Sequence, residues 1–303
     1  MARRRPRRRR AGRAGCLAVA LVVALGGGVA AVVTVLRLQD EAPPVVQRCA
    51  ATVDGTAWFL SPEQADNAAL IAATAVRRGL PARAVTIGLA TALQESKLVN
   101  VDYGDRDSLG LFQQRPSQGW GTPEQVQDPV YATGIFYDRL VQVPGYEELP
   151  ITEAAQAVQR SGFPDAYAQH EVRARAYASA LTGWSPASLS CTLRDPVPGT
   201  GSVDAVTARL HRDLGELPVT SAPREDGAVD VVIDVVPLSA PDEAAVERLG
   251  WSVAQWAVAV AEPLGLTQVA TAGQVWDRAE ASWTAATAAD SPATGQVRLT
   301  LAP

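Results

Sequence analysis

The sequence predicts an all-α domain followed by a small α+β domain, both behind one N-terminal transmembrane helix. Three observations carry this. Residues 14–36 hold no charged side chain. Residues between Cys49 and Cys191 run in helical periods with capping signals and no long alternating stretch. After Cys191 the pattern changes, and a valine-rich alternating segment enters.

The first thirteen residues contain eight arginines and no acid. The uncharged segment 14–36 would extend about 34 Å as a helix at about 1.5 Å per residue, enough for a bilayer core of about 30 Å. The basic flank predicts a cytoplasmic tail over 1–13, a span over 14–36, and the remaining chain outside the cell membrane. A cleaved signal peptide is the rival reading, with "GGGVAA" as its cleavage region. The apolar run continues past it through "VVTVL", which favours an uncleaved anchor. Residues 37–48 read as a stalk containing "EAPPVVQ". Beyond Arg37, eighteen basic residues face thirty-two acids, a formal charge of −14. Such a surface argues against nucleic acid as a partner.

Helix signals then follow in order. "SPEQADNAALIAATAVRRG" opens with Ser61 as N-cap, Pro62 at the first helical position and Gln64 in a capping-box place, and closes at Gly79. "PARAVTIGLATALQES" is apolar on most sides and carries Glu95 in its last turn. "DPVYATGIFYDRLVQV" stops before Pro144. "TEAAQAVQRSG" has Thr152 as a plausible N-cap, and "PDAYAQHEVRARAYASALTG" closes at Gly183. Residues 192–202 form a linker rich in proline, glycine and serine. Within 203–303, "VDAVTARLHRDLG" and "PDEAAVERLGWSVAQWAVAVAEPLG" read as helices. "AVDVVIDVVPL", "LTQVATAGQVWDR" and "GQVRLTLAP" read as strands, and "RAEASWTAA" fits either. No catalytic constellation is visible in this second domain.

Cys49 and Cys191, an even pair in an oxidising compartment, read as a disulfide, with two free thiols as the alternative. Two isolated histidines, His170 and His211, and the absence of a cysteine cluster leave no metal or cofactor signature. No G-x-S-x-G and no phosphate-binding glycine loop occurs. What remains is carboxylate chemistry, and Glu95 is its best candidate. A carboxyl projecting from an apolar helix has a raised pKa and can act as a general acid. After it, in "DYGDRDSLGLFQQRP", Gly110 allows close backbone approach. Gln113 and Gln114 offer donors and acceptors suited to sugar hydroxyls or amides. Asp102, Asp105 and Asp107 read as turn chemistry, or as a second carboxylate for hydrolysis. Trp120 could stack on a sugar ring. Trp251, Trp256, Trp276 and Trp283 read as packing residues.

The Glu95–Ser96 pair at the end of an apolar helix, followed by a Ser-x-Gly-Leu-x-Gln run, resembles the soluble lytic transglycosylase family of lysozyme-like enzymes. The resemblance covers about residues 60–183. It implies a lysozyme-like domain over 49–191, with cleavage of bacterial cell-wall peptidoglycan between N-acetylmuramic acid and N-acetylglucosamine. By this resemblance Glu95 is the single acid/base. Ser96, Ser108, Gly110, Leu111, Phe112, Gln113 and Gln114 would shape the glycan site, and Gln159, Ser161 and Tyr167 would face it. The chain departs from the family pattern at "SLGLFQQRP" and at "AVQRSG", where the customary asparagine is missing. Two readings other than an enzyme stay open: a glycan-binding scaffold without cleavage, and an envelope-protein partner engaged through residues 203–303.

Overall fold

The structure, a computed structural model, describes residues 45–302 apart from 198, 239–241 and 288–289. The basic tail, the span over 14–36 and most of the stalk lie outside the described residues. Among the described residues no helix is long and apolar enough to cross a membrane. Residues 46–303 form one compact unit.

The expectation that residues 49–191 form an all-α domain is overturned. The described chain is mixed α/β, with nine α-helices and two antiparallel sheets of three and six strands. The first sheet joins β1 (Arg48–Val53), β2 (Thr56–Leu60) and β3 (Leu189–Thr192) in the order β2-β1-β3. Asp54 and Gly55, both at positive φ, form the two-residue turn between β1 and β2. These strands hide from a periodicity reading for physical reasons. β1 buries Cys49 and Ala51, small residues with little strand preference, and β2 is exposed along most of its length.

The helices follow in sequence. α1 (Pro62–Arg77) begins with the expected capping box: Ser61 Oγ accepts from the Gln64 N–H at 3.2 Å, and Gln64 Oε1 accepts from the Ser61 N–H at 2.8 Å. α2 (Ala82–Ser96) is buried at every position from Ala84 to Leu93. Next come α3 (Pro123–Gln127), α4 (Pro129–Leu140), α5 (Ile151–Gln159) and α6 (Glu171–Leu181). α5 starts after Pro150, so Thr152 is not its N-cap; its hydroxyl donates instead to the Pro164 carbonyl at 2.6 Å.

The later residues add α7 (Val203–Leu214), β4 (Val219–Pro223), β5 (Val229–Asp234), α8 (Glu243–Ala259), α9 (Ala261–Leu264), β6 (Leu266–Thr271), β7 (Gln274–Asp277), β8 (Ser282–Ala285) and β9 (Gln296–Leu301). The sheet order is β4-β5-β9-β6-β7-β8. α8 is buried from Leu249 to Ala259 because it meets β6 and β9 as well as α6, α1 and β3. Gln255 of α8 is fully buried and satisfied. Its Nε2 donates to the Ala180 and Ser185 carbonyls, and its Oε1 accepts from the Ser188 and Leu189 N–H groups. Asp213 of α7, also fully buried, receives Arg209, Arg212 and the Trp256 indole, while Arg209 forks onto Asp66 of α1. The four tryptophans expected to pack do so: Trp251, Trp256 and Trp276 are buried, and Trp283 is packed against the core.

Cys49 and Cys191 lie directly opposite each other in the β1–β3 ladder and are joined as a disulfide. The bridge spans a sequence separation of 142 residues. Closing so long a loop restricts the unfolded chain by roughly 5 kcal/mol at most in the chain-entropy picture. Replacing both cysteines by alanine is expected to cost about 3–5 kcal/mol, read from urea denaturation of the two proteins. A loss below about 1 kcal/mol would show that the closed loop is not what the bridge constrains.

Candidate active site

Glu95 stands one residue before the end of α2. The helix stops abruptly there, without a glycine. Lys97 and Leu98 both take left-handed conformations, at φ 58° and 60°, and their N–H groups bond back to the Leu93 and Ala92 carbonyls. This closure is costly for residues with a Cβ, and α1 holds it in place. Gln64 Nε2 donates to the Lys97 carbonyl at 2.7 Å, and Asn67 Nδ2 donates to the Leu98 carbonyl at 2.9 Å. The capping residue of one helix thus fixes the exit of the next.

The loop after α2 is folded back against the acid by two side chains. The Ser96 hydroxyl donates to the Leu111 carbonyl at 2.7 Å, and Gln159 Nε2, from the last turn of α5, donates to the Phe112 carbonyl at 2.8 Å. Leu109 and Gln114 pair as an isolated antiparallel bridge that pinches the loop. Gly110 sits between them at φ +75°. A Cβ there would come within 2.3 Å of the Val126 carbonyl oxygen, so only glycine fits.

The carboxyl of Glu95 is partly buried and accepts a hydrogen bond from the Tyr167 hydroxyl at 2.7 Å. Burial raises its pKa above the ordinary carboxylate value, and the side chains of Tyr167 and Gln159 oppose that shift by favouring the charged form. Burial also raises Tyr167, helped by the neighbouring Glu95 charge, so the phenol stays a donor at neutral pH. The nearby Ser161 hydroxyl donates to Gln156 Oε1 at 3.1 Å and accepts from the Phe163 N–H at 3.3 Å. Gln94, beside the acid, faces Gln169 Nε2 at 3.1 Å and His170 Nε2 at 3.0 Å, which ties the turn after Tyr167 to α2. Burial, then the Arg173 charge, holds His170 below the usual imidazole range.

The structure therefore brings Glu95, Ser96, Gln159, Ser161 and Tyr167 together with the backbone of the 109–114 loop. The side chains of that loop are used differently. Leu111 and Phe112 are fully buried, with Phe112 stacked on Phe136 at 4.6 Å between centroids. Gln114 is buried and donates to the Ala132 carbonyl at 2.9 Å. Gln113 is partly exposed and donates to the Tyr103 carbonyl at 3.1 Å. Ser108 is buried, its N–H bonded to the Asp105 carbonyl at 3.1 Å. Trp120 is buried under the Arg139 guanidinium.

The three aspartates of the loop differ. Asp102 and Asp105 are exposed. Asp107 receives Arg115 Nε at 2.8 Å and the Ser117 N–H at 2.8 Å. The Ser117 backbone bond, then Arg115, pulls its pKa well below the usual range.

Two exposed aromatics near the site were not anticipated from the sequence. Tyr103, 72% exposed, lies on the loop whose carbonyl meets Gln113, and Phe163, 77% exposed, follows Ser161. Each has a glycine as its immediate neighbour, in "DYGD" and "SGFP". An aromatic placed in a polar turn was the signal to read.

No protein-family model matches the chain, and no curated protein matches it.

Two measurements test this electrostatic arrangement. Tyr167→Phe removes a donor that favours the charged carboxyl, so the Glu95 pKa should rise further, as read by carbon-13 NMR of the side-chain carboxyl; an unchanged or lower value would remove Tyr167 from the account. The second concerns stability. The folded carboxyl holds its proton more tightly than the unfolded one, so the fold loses stability as pH rises from the ordinary carboxylate value through the raised one. Glu95→Gln is free of that loss. Its melting temperature should match the wild type at acidic pH, below both values, and exceed it increasingly toward neutral pH. A gap that does not change with pH would contradict the raised pKa.

Proposed function

We propose that the protein cleaves peptidoglycan as a lytic transglycosylase, acting on the β-1,4 bond between N-acetylmuramic acid and N-acetylglucosamine. The observation that carries this reading is Glu95: a partly buried carboxyl at the exit of a buried helix, with its pKa raised and the Tyr167 hydroxyl 2.7 Å away. The resemblance of Glu95–Ser96 and "SLGLFQ" to that family supports it.

The chemistry needs one carboxyl. Protonated Glu95 gives its proton to the glycosidic oxygen, and the C1–O bond of the muramic acid breaks as positive charge develops on its ring. The carboxylate that remains is stabilised by Tyr167 and Gln159. It then takes the proton of the same sugar's C6 hydroxyl, whose oxygen bonds to C1 and closes a 1,6-anhydro ring. Glu95 ends protonated, ready for the next cycle. Hydrolysis with retention would want a second carboxyl about 5–5.5 Å away. The occupation of Asp107 by Arg115 and Ser117 weighs against it in that role. An anchored, extracytoplasmic position belongs to this reading and agrees with the disulfide, a bond of oxidising compartments.

A glycan-binding role without cleavage is the second reading. It is favoured by one observation: the segment "AVQRSG" lacks the asparagine customary in the cleaving family, while Glu95 is kept.

The test is incubation of the detergent-solubilised full-length protein, and of its Glu95→Gln variant, with purified peptidoglycan, followed by mass spectrometry of the released muropeptides. The wild type should release products with 1,6-anhydro ends, and the variant should be slower by roughly 10²- to 10⁴-fold. Reducing ends would instead make it a hydrolase. Glycan pulled down by both proteins with no product from either would leave the binding role.

A further inference from the structure

The residues after the linker hold the acid's surroundings from two sides. The first hold runs through α1. Gln64 and Asn67, three positions apart, share one face of that helix and bond the Lys97 and Leu98 carbonyls just beyond Glu95. Asp66 stands between them in sequence. At about 100° per residue, its side chain leaves the helix on a different face. There Arg209 of α7 takes it in a fork: Nη1 donates to Asp66 Oδ2 at 2.8 Å, and Nη2 donates to Oδ1 at 2.7 Å. The Nε of the same guanidinium donates to Asp213 Oδ2 at 2.7 Å. Asp213 is fully buried and also receives the Trp256 indole of α8 at 2.9 Å. A line of bonds thus leads from the core of the later residues, through Asp66, to the helix that closes the exit of α2.

The second hold runs through α6. The last carbonyls of a helix have no partner inside it. One face of α8 supplies donors to them. Gln255 Nε2 donates to the Ala180 carbonyl at 2.7 Å, the Ser252 hydroxyl to the Leu181 carbonyl at 2.6 Å, and Arg248 Nη1 to the Thr182 carbonyl at 3.2 Å. Gly183, at φ +79°, permits the approach, since a Cβ there would come within 1.9 Å of the Arg248 carbonyl oxygen. The other end of α6 begins at Glu171, just after the turn that carries Tyr167 to the acid.

We propose that the Asp66–Arg209 fork positions the Glu95 carboxyl: α7 fixes the rotation of α1, and α1 fixes the turn on which the acid stands. Both residues act through Gln64 and Asn67 and are positioning residues. A contact serving cohesion alone can fall anywhere along α1; this one falls between the two clamping amides. Its geometry suits the task. The Arg209 side chain is 11% exposed and that of Asp66 23%, and a two-pronged pair shielded from water fixes an orientation as well as a distance. The inference takes Glu95 as the acid of the glycan-cleaving reading. It gives residues 203–303 a part in that site which the family resemblance, covering about residues 60–183, does not reach.

The test compares the full-length, detergent-solubilised wild type with Arg209→Lys, Asp66→Asn and Val231→Ala. Arg209→Lys keeps both charges but cannot make the fork. Asp66→Asn opens the fork and leaves Arg209 on Asp213. Val231→Ala removes buried volume from β5 and reports what a loss of stability does by itself. The Glu95 carboxyl is followed by carbon-13 NMR. Burial is the first cause of its raised pKa, so a loosened turn that admits water should bring it down toward the ordinary carboxylate value. Both fork variants should show this shift, and Val231→Ala should not. With peptidoglycan as substrate, kcat should fall by about ten- to hundredfold in the fork variants, the scale of a small misplacement of a catalytic group. KM should stay within about twofold, and Val231→Ala should keep the wild-type kcat. An unchanged or higher Glu95 value in Arg209→Lys overturns the proposal, because a shift confined to Asp66→Asn would report a lost charge. An equal shift or an equal loss of kcat in Val231→Ala overturns it as well. If Asp66→Asn does not fold, Arg209→Lys carries the comparison. If the wild type releases no products, the cleaving reading has failed by itself, and the titration still decides whether the fork places the carboxyl.

Discussion

The burial of α2 is the constraint on which the rest depends. Ten consecutive positions of this helix, Ala84 to Leu93, are shielded from solvent. A polar side chain can emerge only where the helix ends, and Glu95 does so. Its environment is therefore set by how the helix stops. The stop is made by two left-handed residues with side chains, Lys97 and Leu98, an arrangement that local preferences resist. Gln64 and Asn67 of α1 hold it by donating to the Lys97 and Leu98 carbonyls. A helix buried over ten positions, a forced turn and two amide clamps together place one carboxyl at a half-dry position.

The surrounding loop follows the same logic. Its backbone is fixed at two adjacent carbonyls, Leu111 and Phe112, by Ser96 and Gln159. Its apolar side chains then turn inward, where Phe112 stacks on Phe136. A stretch that offers sugar-binding groups in sequence thus presents more backbone and fewer side chains than its composition suggests. The side chains that do face the acid arrive from later in the chain, from α5 and from the turn before α6.

Much of this was legible in the sequence, and the failures have identifiable causes. The capping box at Ser61, the long helices and the cysteine pair were readable because each rests on local chemistry or on compartment. Glu95 was readable because a carboxylate ending an apolar run is out of place. The sheet of β1, β2 and β3 was not read. Its buried positions are cysteine and alanine, and its third strand comes about 130 residues after the second. Yet Asp54-Gly55 is a strong hairpin signal, and it stood between two short segments that fit strands.

The bridge between Cys49 and Cys191 has a further consequence, for a chain that has been cut. Exposed backbone near Tyr103 is a natural place for a protease to enter. Glu95 lies before such a cut and Tyr167 after it, yet both lie inside the span that the bridge encloses. A nicked molecule would remain one covalent body, with its two pieces held near each other by the ladder of β1 and β3. Reassembly would be an intramolecular event rather than an encounter between fragments. The acid and its phenol partner can thus survive as a pair after the backbone between them is broken.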